Sequence, residues 1–151
     1  MTINGLPLHP LVVHAAVVFA PIAGLLALGY LVPTWRHHLR WPLLLVSVAA
    51  AVLVWFAAAT GDSLAHSTSA AMAANPVLAQ AIHHHEDLAG KLQASTWVLA
   101  ALAAGTWWFH HRPGWVRTAL LGLLPLCGIA ALVLVVMTGD AGARAVWAAG
   151  A

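Results

Sequence analysis

Four apolar runs, each about the length needed to cross a hydrocarbon core, constrain this chain more than any other feature. They extend from about Leu11 to Val32, Pro42 to Ala59, Leu92 to Phe109 and Val116 to Met137. In lipid every backbone N–H and C=O must be satisfied within the segment, so the runs predict helices rather than lone strands. Only 7% of the 151 residues are charged, against about a quarter in an ordinary soluble domain. So few charges would not solvate a water-facing surface. The expected architecture is all-α, a single membrane domain over residues 1–151 built as a four-transmembrane-helix bundle in the cell membrane. Pro10 falls where a first-turn proline is tolerated, and Pro21 and Pro125, inside spans, are expected to kink them.

The connecting segments differ in charge. Arg36 and Arg40 lie between the first two spans, and Arg112 and Arg117 between the last two. Lys91, Arg144 and all four acidic residues, Asp62, Glu86, Asp87 and Asp140, lie on the opposite side. The positive-inside rule makes the arginine loops cytoplasmic, so both termini and the loop of about residues 61–91 are expected outside. Trp35, Trp41, Trp107, Trp108 and Trp115 bracket the arginine loops as an interfacial belt would. Within the long loop, residues 67–74 are small and polar and read as flexible. Asn75-Pro76 then reads as a helix start, with that helix running on into the third span. The formal charge of +2, with no basic stripe, gives no nucleic-acid signature.

Two hairpins on one plan are suggested by Thr60-Gly61-Asp62 closing the second span and Thr138-Gly139-Asp140 closing the fourth. The competing reading is ordinary helix-ending chemistry, with glycine relaxing the C-terminal backbone.

Ten histidines are the chemical signal. His37, His38, His110 and His111 sit among the arginines and read as solvated or headgroup-facing. His9, His14, His66, His83, His84 and His85 lie on the other side. His14 is embedded in the apolar run, where an ionisable group is expensive and normally faces a partner inside the bundle. The first and third spans run in the same direction, so a histidine near the start of the third can face it. His85 is the best placed, although neighbouring residues sit about 100° apart around a helix and the sequence does not choose firmly among His83, His84 and His85. Two imidazoles from facing helices are what a six-coordinate b-type haem needs. Lys91 and Arg144 are on the side where they could meet its propionates. The same residues permit copper or zinc, with His14 and His85 joined by His9, Asp62 and Asp140 as alternative or supporting groups. A third reading is a cofactor-free scaffold subunit of a larger membrane complex, packed through small residues. No nucleophile triad, phosphate loop or dinucleotide fingerprint is present, so the chain does not read as an enzyme by itself. Expected partners are the lipid bilayer and either a redox protein or further copies of the chain.

Three stretches carry a family resemblance. Leu6-Pro7-Leu8-His9-Pro10-Leu11-Val12-Val13-His14 opens the first span, and His85-Glu86-Asp87-Leu88 precedes the third. Thr138-Gly139-Asp140-Ala141-Gly142-Ala143-Arg144-Ala145-Val146-Trp147 follows the fourth. Together they resemble the DUF2231 family of four-helix membrane proteins, above all its actinobacterial type, across essentially the whole chain. The resemblance implies a four-helix membrane fold and, from the family's histidine pattern and its occurrence beside redox modules, haem or electron transfer. By position the motif residues are His9, His14 and His85. The closing motif usually has histidine after the glycine where this chain has Asp140. With His14 and His85 as the ligand pair, Asp140 is left to orient a ligand imidazole.

Overall fold

The computed structural model describes residues 2–3 and 6–148. Two strands of two residues, β1 (Thr2–Ile3) and β2 (Leu6–Pro7), pair antiparallel at the start. Five helices follow among the described residues: α1 (Leu8–Gly29), α2 (Arg36–Ser67), α3 (Ser69–Ala74), α4 (Pro76–Trp108) and α5 (Trp115–Ala148). The four long helices form a ring in which α1 packs on α2 and α5, and α4 packs on α2 and α5. The extreme residues 1 and 149–151, on which the expectation for the termini bears, lie outside the described residues.

Side-chain volume sets how closely these helices approach. The buried face of α1 is an alanine ladder, Ala16, Ala20, Ala23 and Ala27, at the spacing of one helix face. Leu43, Ser47, Ala50 and Val54 from α2, Leu92, Thr96, Leu99 and Ala103 from α4, and Leu124, Ala131 and Val135 from α5 are buried with it in the interior of the ring. The closest crossing is between α1 and α5. A Cβ added at Gly24 would lie 2.9 Å from the Gly128 carbonyl oxygen, so only glycine allows the two backbones this approach. Leu11, Leu126 and Val136 are 67%, 64% and 71% exposed on the outer surface of the ring. Apolar side chains so exposed all round the perimeter require lipid as their solvent.

The helices outrun the apolar segments. α2 has 32 residues, about 48 Å at 1.5 Å per residue, against a hydrocarbon core of about 30 Å. Among the described residues, three helices are long and apolar enough to cross a membrane, over His9–Gly29, Arg36–Ser67 and Trp115–Trp147. α4 contains the expected third span, but Gln93, Ser95, Thr96 and Thr106 together with Trp97, Trp107 and Trp108 dilute its apolar character. α1 and α5 run on through Pro21 and Pro125.

Two local readings are corrected. Residues 69–74, expected to be flexible, form α3, as their alanine-rich composition favours. Neither Thr-Gly-Asp ends a helix: α2 continues from Thr60 to Ser67 and α5 from Thr138 to Ala148. Asn75 does start α4, its side-chain oxygen accepting from the N–H groups of Val77 and Leu78, both at 3.1 Å, with Pro76 in the first turn. At the arginine end, Arg36 donates from Nε to the Tyr30 carbonyl and from Nη2 to the Leu31 carbonyl, both at 3.0 Å. It thereby satisfies acceptors that the end of α1 leaves free.

Candidate functional site: a two-histidine cavity

At the end of the bundle away from Arg36, Arg40, Arg112 and Arg117, the start of α1, the end of α2, the start of α4 and the end of α5 border a cavity of about 740 Å³. That is within the range of about 300–1,000 Å³ usual for small-molecule and cofactor sites. Its walls are mainly apolar and small, including Ala57, Ala58, Ala89 and Gly90, and Ala71 of α3 and Leu78 of α4 lie over it. Inward of the cavity lies the tight crossing at Gly24 and Gly128; toward the cavity, α1 and α5 both contribute lining, from Val13 and Val17 on one and Val135 and Val146 on the other.

Two imidazoles are seated in this cavity by the same device. His9 on α1 donates from Nδ1 to the Ala57 carbonyl of α2 at 2.9 Å and also approaches Thr60 Oγ1 at 3.4 Å. Its ring lies over Gly61, where an added Cβ would be 3.1 Å from His9 Cε1. His85 on α4 donates from Nδ1 to the Thr138 carbonyl of α5 at 3.0 Å, and its ring lies over Gly142, where an added Cβ would be 3.0 Å from Cε1. In both hairpins the imidazole reaches a helix carbonyl because the residue one turn further on is glycine. With the proton held on Nδ1, each ring carries its free lone pair on Nε2, the tautomer that binds a metal or accepts a hydrogen bond.

This repeat is a different one from the Thr-Gly-Asp echo. Aligning the two Thr-Gly-Asp triplets puts Ala57 opposite Val135, whereas the working equivalence is Ala57 and Gly61 with Thr138 and Gly142. Gly61 and Gly142 are the seats, and neither is among the residues that the sequence singles out as a site. The signal was a glycine four residues after the acceptor carbonyl, in a helix facing a histidine.

The other expected site residues take different places. His14 also lines the cavity, but it is exposed and bonds the Pro10 carbonyl of its own helix, so His9 stands where His14 was expected, across the bundle from His85. Of the consecutive histidines, His85 lines the cavity, whereas His83 is exposed and pairs with Glu86 at 3.2 Å. Lys91 and Arg144, expected near propionates, do not line the cavity. They are exposed and pair along their own helices, Lys91 with Asp87 at 2.6 Å and Arg144 with Asp140 at 2.8 Å. Asp140 is therefore held by Arg144 and does not orient either cavity imidazole. Asp62 and Glu86 lie on the lining. Among the described residues no group of three or more His, Cys, Asp or Glu converges as a metal cage.

No curated protein and no solved structure matches the chain. A family profile described as a predicted membrane protein matches residues 5–151, nearly the full length. The long helices, the lipid-facing perimeter and that match agree: the chain is a multi-pass membrane protein and belongs to the DUF2231 family.

Proposed function

We propose that the protein binds b-type haem in this cavity through His9 and His85 and serves electron transfer or redox sensing at the membrane surface. The observation that carries the reading is the pair of imidazoles, each with Nδ1–H bonded to a backbone carbonyl and Nε2 left free, in one apolar cavity. A porphyrin supplies four nitrogens and needs only two protein ligands. A bare zinc or copper ion typically draws three or four ligands from the protein, and among the described residues no three such side chains come together. The chain's own part is positional. The Ala57 and Thr138 carbonyls fix the tautomer and raise the basicity of each imidazole, Gly61 and Gly142 let the rings lie flat, and the alanine-rich walls leave room for a large apolar ring. Bound there, haem would supply one-electron chemistry. Four membrane crossings follow if α4 spans with its neighbours in the ring. The four arginines of the two short turns then place that face in the cytoplasm, and the cavity opens outward.

Titrating haem into purified, haem-free protein in detergent tests this. The expected result is saturation at one haem per chain with a sharpened Soret band; no saturable change contradicts it. The cavity lining itself favours one alternative. It carries Asp62 and Glu86 and no lysine or arginine, which leaves propionates without a cation. A neutral ligand with two O–H donors, such as a quinol, would meet the same two Nε2 acceptors without that need. Binding of a short-chain quinol in place of haem would support it.

A further inference from the structure

The opposite end of the bundle gathers positive charge with no counter-charge. All four acidic residues lie toward the cavity end, on α2, α4 and α5. At the arginine end, Tyr30 donates its hydroxyl proton to His110 Nδ1 at 2.8 Å. Arg40 donates from Nη1 to His111 Nε2 at 3.1 Å, while its Nε is buried without a hydrogen-bond partner. The His37 ring lies 6.3 Å from that of His110, and Arg117 stands in the first turn of α5, which begins four residues past His111. Arg36 is occupied in capping α1, and Arg112 lies over the Trp108 and Phe109 rings. Arg40 and Arg117 therefore keep donor capacity around a cluster of imidazoles. The N-terminus of α2 beside them has no side-chain cap and no acidic residue in its first turn. Trp35, Trp41, Trp108 and Trp115 are exposed around this end, at 55%, 48%, 59% and 81%, which places it at headgroup depth.

We propose that Arg40, Arg117 and the imidazoles around them bind a phosphate group, carried by an anionic phospholipid headgroup or by a soluble phosphate ester. A phosphate fits because guanidinium forks and imidazole N–H groups are donors matched to its oxygens, and because nothing on the protein at this end neutralises them. The site is independent of the haem reading and stands at the other end of the bundle.

The test uses the full-length protein in detergent, with native mass spectrometry counting bound phosphatidylglycerol and phosphatidylcholine, with and without inorganic phosphate as competitor. Phosphatidylglycerol retained over phosphatidylcholine and indifferent to millimolar phosphate assigns the lipid. Displacement by phosphate assigns a soluble phosphate ligand. Arg40→Gln and Arg117→Gln should each weaken binding by about fivefold, since one arginine near a membrane surface contributes about that factor. Arg40→Lys should keep part of it, and Lys91→Gln at the other end should change nothing. Equal retention of the two lipids with no effect of phosphate overturns the proposal. So does a phosphatidylglycerol preference that survives the Arg40→Gln, Arg117→Gln double substitution. The wild-type comparison decides the matter even if a variant does not fold.

Discussion

Gly142→Ala separates ligand positioning from folding. The added Cβ would lie 3.0 Å from His85 Cε1 and 3.1 Å from Nδ1, closer than such contacts normally run, so the ring must move by a few tenths of an ångström. That movement weakens the 3.0 Å bond from Nδ1 to the Thr138 carbonyl. Losing such a bond costs about 0.5–1.5 kcal/mol. Replacing a mid-helix glycine by alanine returns about 0.5–1 kcal/mol, so global stability should hardly change. Ligand affinity should change, because a group that orients a ligating histidine is typically worth about 10- to 100-fold in affinity. Gly61→Ala should act in the same way through His9, with its contact at 3.1 Å. The assay is a haem titration followed by visible absorbance, beside a detergent-denaturation curve on the same preparations. Unaltered affinity in both variants would refute the seating argument. A loss of several kcal/mol in stability would show that the glycines serve packing instead.

Three other outcomes are expected. Gly128→Ala should destabilise by about 1–3 kcal/mol in a denaturation curve while leaving haem affinity alone, since its Cβ would meet the Gly24 carbonyl oxygen at 3.0 Å and Ala27 Cβ at 2.9 Å, neither of which yields easily. Asn75→Ala should cost about 1 kcal/mol at the start of α4, read as faster amide exchange over its first turn, because Val77 and Leu78 lose their acceptor. The pKa of His110 lies below the ordinary 6.5, through desolvation first and then the charges of His111, Arg40, Arg117 and His37. The folded protein therefore binds fewer protons than the unfolded chain between that lowered value and 6.5, and His110 should reduce stability as pH falls through that window. The thermal midpoint of the wild type relative to His110→Gln should drop between about pH 7.5 and pH 5.5, and a constant difference would contradict this.

Three of the four apolar runs were legible in the sequence as spans because lipid imposes a length rule that needs no partner residue. Asn75-Pro76 was legible because capping is local chemistry. The extent of the helices was not: α2 and α5 pass through Thr60-Gly61-Asp62 and Thr138-Gly139-Asp140, and the glycines that meet a histidine of a neighbouring helix are Gly61, within the first triplet, and Gly142, beyond the second. The choice between His9 and His14 was also beyond the sequence. Depth in the apolar run favoured His14, but that imidazole bonds its own helix, while His9 finds a carbonyl uncovered by Gly61 on α2. Such a match depends on rotation of one helix against another, which neither hydropathy nor spacing within one helix records. Lys91 and Arg144 went to acids four residues away, the pairing that helix geometry offers most readily.

The most direct test of the central claim is the reduced-minus-oxidised visible spectrum of haem-loaded wild type beside His9→Ala, His85→Ala and His14→Ala. Ligation by His9 and His85 predicts sharp alpha and beta bands in the wild type and in His14→Ala, and their loss in both His9→Ala and His85→Ala. Bands that persist in His9→Ala but vanish in His14→Ala would contradict the account and return the ligand to the deeper histidine.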